Sequence, residues 1–295
     1  MSNWGRGTHR LANAFFAAAL FAVAGCATTE APTPPPSAAS VPENDLLNAT
    51  LWMQQAVEYK AVTESLFALA RVRLDEGLSR KKWTAVPDKE PKNYKNLPPA
   101  IIVDCDETVL DNSSFEAATI KDHLPYSEAL WTDYANSATA GAVPGAVAFA
   151  NYAASKGVTV FYVTNRSFDT EAATRENLKA LGFPLGEGDT IYTKGEKPEW
   201  TSKKESRIAA VAATHRVLLL MGDNFGDFLD AASGSVAERE AAFEAAKDHW
   251  GKDWIALPNP AYGSWDAAAG GSYALTPDQR RQNKIDALKA WKPAK

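Results

Sequence analysis

Cysteine is nearly absent from this 295-residue chain, which has two, Cys26 and Cys105. If Cys26 serves the N-terminal segment, no internal disulfide can form, and the folded body must rest on its core. Long apolar runs are also missing. The most apolar stretch, AFFAAALFAV at 14–23, is about half of the ~20 residues a spanning helix needs. Histidine is scarce, and His123, His215 and His249 fall in no H-x-x-x-H or R-H-G pattern. Positive charge is short as well: the net charge is −5. Arg6 and Arg10 sit in the N-terminal segment, so the rest is more acidic still, which argues against binding a nucleic acid polymer. No internal repeat is visible, and hydrophobic content of 45% with 23% charged residues is ordinary for a globular domain.

Arg6 and Arg10, the short apolar run and the small residues before VAGC at 23–26 form the three parts of a secretory signal. The ending resembles a bacterial lipobox. It predicts a signal peptide over 1–25, lipidation of Cys26 and a membrane anchor there. Ala27, in place of Asp, resembles export to the bacterial outer membrane. Residues 26–42, rich in Pro, Ala, Ser and Thr, read as a tether, leaving 43–295 as the folded domain.

From Asn44 to about Leu78 the pattern predicts a helix, with Leu47, Leu51, Val57, Ala61, Leu66, Leu69 and Leu74 as its buried stripe and Gly77 as its stop. Beyond a proline-rich loop at 86–99, strands are predicted at 100–104, 158–164, 190–193 and 216–223. Helical patterns separate them at 144–156, 169–181 and 202–213. Two further helical stretches fall in 112–140, and others at 237–249 and 276–291. Continuous apolar strands alternating with helices predict an α/β fold: a Rossmann-like parallel sheet covered on both faces. Segments 43–97 and 112–140 would form a smaller helical part.

Three of the four strands end in polar chemistry, at Asp104, Thr164 and Asp223. In open parallel sheets the ligand crevice lies at the carboxyl ends of the strands, so these residues should meet there. Asp104 and Asp106, two apart, should face one way with Cys105 opposite. One of two adjacent carboxylates can stay ionised as nucleophile or metal ligand while the other holds a proton as general acid. Asp223 would complete an all-oxygen site suited to Mg²⁺. Other readings of the segment fail. A calcium loop would need acids or Gly where Thr108, Val109 and Phe115 stand. A cysteine phosphatase would need Arg where Asp111 stands. Cys105 reads as a small core residue.

Four segments in order, VDCDETVLDNS at 103–113, VTNR at 163–166, SKKESR at 202–207 and GDNFGDF at 222–228, resemble the four motifs of the haloacid dehalogenase superfamily. They are closer still to the class C acid phosphatases, the bacterial outer-membrane lipoprotein acid phosphatases and 5′-nucleotidases. VPGAVAFANY at 143–152 and LPNPAYGSW at 257–265 extend the likeness over roughly 44–268. The resemblance implies that Asp104 attacks phosphorus to form an aspartyl-phosphate and that Asp106 protonates the leaving alkoxide, then activates water. It implies one Mg²⁺ per chain, held by Asp104, the backbone carbonyl of Asp106 and Asp223, with Asp227 acting indirectly or through water. Thr164 would bond the phosphoryl oxygens, with Asn165 and Arg166 in substrate contact. A lysine would neutralise phosphoryl group and nucleophile; spacing from Arg207 favours Lys204 over Lys203. Trp131 and Tyr262 would form an aromatic clamp on the substrate.

Each residue also has a plainer role open to it. Thr164 could cap the following helix, Asp223 start a turn, Asp227 cap a helix, the lysine lie on the surface and the aromatics pack in the core. The expected substrates are small phosphomonoesters, nucleoside monophosphates and aryl phosphates, with an acidic optimum if Asp106 must be protonated. A homodimer is compatible with the resemblance. The rivals are a non-catalytic ligand-binding lipoprotein on this fold, and a sugar-phosphate phosphatase or phosphotransferase.

Overall fold

The computed structural model describes residues 43–292. The signal segment expected at 1–25, Cys26 and the tether expected at 26–42 lie outside the described residues. Asn44–Lys295 forms one compact unit.

In chain order, α1 (Leu47–Gln55) and α2 (Val57–Ser79) precede β1 (Pro99–Val103). An insertion follows, made of β2 (Leu110–Asp111), α3 (Ser113–Lys121), α4 (Glu128–Asn136) and β3 (Gly141–Ala142). Then come α5 (Ala146–Ser155), β4 (Thr159–Ser167), α6 (Glu171–Ala180), β5 (Ile191–Lys194), α7 (Glu205–Ala212) and β6 (Arg216–Gly222). The chain continues through α8 (Val236–Ala245), β7 (Trp254–Ala256), α9 (Ser264–Gly270) and α10 (Pro277–Ala287). Five strands pair in the order β5-β4-β1-β6-β7, every pair parallel. The α/β sheet expected from the apolar runs is therefore present, with one strand more than the four expected. Among the described residues no helix is long and apolar enough to cross a membrane.

Strand alternation sorts the core into two layers. Ile101, Val103 and Cys105 face one cluster, with Phe67, Ala70 and Leu74 of α2, Phe149 and Ala153 of α5, and Leu178 of α6. Ala100 and Ile102 face the other, with Ile208, Val211 and Ala212 of α7 and with Phe228 and Trp254. Leu218 is skipped in the register between β1 and β6. Its carbonyl accepts the Trp83 indole N–H at 2.8 Å instead, which leaves no orphaned acceptor at the bulge.

The N-terminal helix departs from expectation. It is two helices, broken at Ala56, whose backbone is extended. The face it buries is Thr63, Phe67, Ala70, Leu74 and Gly77. Leu47, Leu51 and Val57, expected inside, are exposed. The spacing of the inward face is helical, but small residues mark it, because they let α2 lie close to its neighbours. Gly77 is not a stop. A Cβ there would come 3.0 Å from the Trp83 ring, and the helix runs two residues further.

Candidate active site

β1 is the central strand, and the ladder continues past it: the Asp104 N–H bonds the Met221 carbonyl of β6 at 2.9 Å. The chain then coils tightly. The Cys105 carbonyl accepts from the N–H groups of Val109 (2.9 Å) and Leu110 (2.8 Å), and Glu107 adopts φ +55°. The coil turns Asp104 and Asp106 toward the carboxyl edge while Cys105 is sealed in the core. Asp111 does what a helix-capping acid does, accepting from the Ser113 N–H at 2.9 Å as α3 starts.

Three acids converge. Asp104, Asp223 and Asp227 each offer a carboxylate oxygen within 4.8 Å of the others. Asp223 ends β6, and is oriented by Thr108 Oγ1 (3.2 Å) and Asn259 Nδ2 (2.9 Å), both donating to it. Asp227 folds back over Gly222, where a Cβ would overlap its side chain. The Asn224 N–H fixes it at 2.9 Å. Lys204, at the start of α7, is buried with its ammonium 2.5 Å from Asp104 and 2.7 Å from Asp227. Lys203 points away, to Asp230 at 3.5 Å, and is mostly exposed.

The electrostatics are those of a site short of positive charge. Burial pushes Asp104 up to about 7; Lys204 pulls it back, and Asp227 and Asp106 add to the rise. Burial, then Asp227 and Asp104, raise Asp223 well above the carboxylate range. Burial alone would lower Lys204, but Asp104 and Asp227 hold it above its usual value. Buried carboxylates cannot all ionise around one ammonium. An all-oxygen cluster of this kind fits a hard divalent cation.

Asp106 lies on the other side of the coil, gripped by Arg166. The guanidinium lies 2.9 Å from Asp106 Oδ1 and also donates to Asn112 (3.1 Å) and Thr174 (3.3 Å). Its outer face lies over the Trp131 ring, 5.5 Å from the centroid. Arg166 was expected to touch substrate. The structure gives it a different place: it is fully buried, and its nitrogens are occupied in holding Asp106. Thr164, inside β4, is also buried, with its hydroxyl 3.5 Å from Asp106. Trp131 packs on Phe115 and Tyr134 at 5.2 and 5.7 Å. The Tyr262 hydroxyl donates to Glu107. Asn165 is exposed and bonds the Ser202 carbonyl at 2.9 Å.

An open cavity of about 820 Å³ lies alongside. Asn165, Lys203 and Asn224 line it with Tyr262, and the first three adjoin Thr164, Lys204 and Asp223 in sequence. It has room for much more than a phosphoryl group.

Two buried residues escaped the sequence reading. Glu107 is sealed beneath Tyr262, accepts from the Asn112 N–H at 2.9 Å, and is pushed well above its range by burial and by Asp106 and Asp223. Its place among four crowded acids was the available signal. Arg207 donates to the Thr164 carbonyl, to Asn165 Oδ1 (2.6 Å) and to the Thr201 carbonyl (2.7 Å). It ties the loop that carries Lys204 to the end of β4. Burial lowers it to about 10.

A parallel sheet that brings acids, a buried lysine and a buried threonine together at its carboxyl edge is the arrangement phosphoryl-transfer chemistry needs. The family model described as HAD superfamily, subfamily IIIB (Acid phosphatase), matches residues 24–265. The class C acid phosphatase of Bacillus anthracis is similar in structure: 33% identity, TM-score 0.74, with 84% of this chain and 98% of that one covered. A second structure of that enzyme, with tungstate bound, matches equally. The chain belongs to the subfamily IIIB acid phosphatases of the haloacid dehalogenase superfamily and is a phosphoric monoester hydrolase.

Proposed function

We propose that the protein is an exported, Mg²⁺-dependent phosphatase acting on nucleoside 5′-monophosphates and aryl phosphates through an aspartyl-phosphate on Asp104. The observation that carries this reading is the meeting of Asp104, Lys204, Asp223 and Asp227 at one sheet edge, with Asp106 held separately by Arg166.

Asp104, Asp223 and Asp227 would hold the metal, which supplies charge against the phosphoryl oxygens when bound. Asp104 Oδ attacks phosphorus, and the ester oxygen leaves with the proton that Asp106 delivers. Asp106 then takes a proton from water as that water attacks the acyl-phosphate, releasing phosphate and restoring Asp104. Lys204 neutralises the nucleophile and the transferring group, and the Thr164 hydroxyl meets a phosphoryl oxygen. Arg166 fixes the direction of Asp106 rather than binding substrate. The leaving group extends past Asn165, Tyr262 and the Trp131 cluster, and the open cavity accommodates a nucleoside. The relative bound tungstate, an oxyanion, which supports an oxyanion subsite here. The signal segment, the lipobox at Cys26 and the tether support export and a lipid anchor in the outer membrane.

The test is to assay Asp104→Asn and Asp106→Asn against adenosine monophosphate, p-nitrophenyl phosphate and glucose 6-phosphate, with chelator and with Mg²⁺ restored. Loss of turnover by at least about 10³-fold in Asp104→Asn is expected, with metal-dependent activity in the parent and preference for the first two substrates. Full activity in Asp104→Asn overturns the mechanism. Preference for glucose 6-phosphate overturns the substrate class.

A further inference from the structure

The last helix presents a surface that the catalytic site does not use. α10 has no buried residue. Ions hold its inner side: Arg280 and Lys284 bond Asp266, and Arg281 and Lys284 bond Asp45. These bonds fix the roll of the helix. Ile285 and, beyond the helix end, Leu288 and Trp291 are then left outward, at 53, 73 and 84% exposure. Lys289 and Lys292 stand among them, and no acid follows Asp286 in the sequence. An exposed indole and aliphatic side chains interleaved with lysines suit the headgroup layer of a bilayer. The indole sits at the interface, the aliphatics enter just below it, and the ammonium groups meet phosphates.

We propose that Ile285, Leu288 and Trp291, with Lys289 and Lys292, form a docking surface for an anionic lipid bilayer. Asp45, the residue α10 grips, is where the chain enters the domain, three residues past the proline-rich stretch at 27–42. With Cys26 lipidated, a stretch of that length would reach about 50 Å when extended, so the lipid surface lies within range of this end. Leu47 and Leu51, exposed on the helix that Asp45 leads into, add apolar surface at the same end. A second copy is a poorer occupant, because a two-fold contact would set Lys289 and Lys292 against their own equivalents. The surface is independent of the catalytic assignment. Its nearness to a bilayer rests on the proposed lipidation of Cys26, and vesicles offered to the chain without Cys26 test the surface separately.

Residues 44–295, which contain all three core clusters, are mixed at low salt with vesicles of phosphatidylethanolamine and phosphatidylglycerol, or of phosphatidylcholine alone, and floated. Binding to the anionic vesicles is expected, with little to the neutral ones. Leu288→Ser with Trp291→Ser, and separately Lys289→Glu with Lys292→Glu, should each lower binding about tenfold, with p-nitrophenyl phosphate turnover unchanged as the check on folding. No binding by the parent, or binding by either variant equal to the parent's, overturns the proposal. So does a concentration-dependent dimer that Leu288→Ser with Trp291→Ser abolishes without any vesicle binding, which would assign the surface to a second copy.

Discussion

At the carboxyl edge of the sheet, Lys204 is sealed between Asp104 and Asp227. At the C-terminal helix, Lys284 lies one-third exposed between Asp266 and Asp45. Both are lysines bridging two acids. The first is out of water, where desolvation is costly and geometry must compensate. The second stays in contact with solvent, where an ion pair is worth about 0–1 kcal/mol and salt screens it. Parallel ladders hold the first region whatever its charges do. The second is held mainly by charges: α10 has no fully buried residue, and to its ion pairs it adds hydrogen bonds from Arg280 and Asn283 to the Gly271 and Gly270 carbonyls and a contact of Arg280 with the Tyr273 ring. Ion pairs at the sheet edge therefore cost stability and serve chemistry, whereas those of α10 serve attachment.

Substitutions should separate the two regions. The largest effect is expected for Lys204→Met: turnover falls by about 10²–10³, and the metal-free protein loses about 3 kcal/mol, since two buried carboxylates are left without their cation. Steady-state kinetics and urea unfolding check both. An unchanged turnover would make Lys204 a structural residue like Lys284. Next is Arg207→Lys, which loses the planar fork that reaches Thr164, Asn165 and Thr201. Stability falls by about 2–3 kcal/mol, and kcat falls more than KM rises, because Thr164 and Lys204 shift relative to each other.

Glu116 on α3 represents a third condition, a charge with burial and no cation acting on it. Burial raises it to about 7. The folded state then binds the proton more tightly than the unfolded chain, so stability declines as pH rises from about 4.5 to about 7 and stays lower above. Glu116→Gln is neutral throughout. It should match the parent at pH 4 and exceed it by about 2 kcal/mol at pH 8, read from melting curves across pH. The smallest effect belongs to α10. Raising salt to about 0.5 M should speed amide exchange in 277–287, with a loss under about 1 kcal/mol and no change in kcat. If α10 stays fully protected, more than charge holds it.

The four main strands were legible because they are buried on both faces and so read as unbroken apolar runs. β7 was not: three residues beginning at Trp254 carry too little pattern. The α1–α2 break was hidden because Ala56 is an ordinary helix residue. The buried face of α2 was misread in part: Leu74 is on it and Leu66 and Leu69 pack beside it, but Thr63, Ala70 and Gly77 mark the rest, while Val57 and Ala61 face out. At the site, Asp104 and Asp223 were legible from their place at strand ends; Thr164 was expected at one too, but β4 runs on to Ser167. Lys203 and Lys204 are adjacent in sequence, and only the start of α7 separates an inward lysine from an outward one. Arg166 was expected at substrate because it belongs to the VTNR motif on which the family resemblance rests; alternation along β4 turns it inward to Asp106. Arg207 and Glu107 act on backbone and on other side chains, and such work leaves no spacing signature.

Gly222 contributes only empty room, yet the carboxylate of Asp227 occupies the volume a methyl group would fill. Its exchange for alanine would silence the enzyme while every acid in the chain remained. A natural relative that had lost its chemistry in this way would look intact by any inventory of its aspartates, and the missing activity would trace to one carbon atom too many.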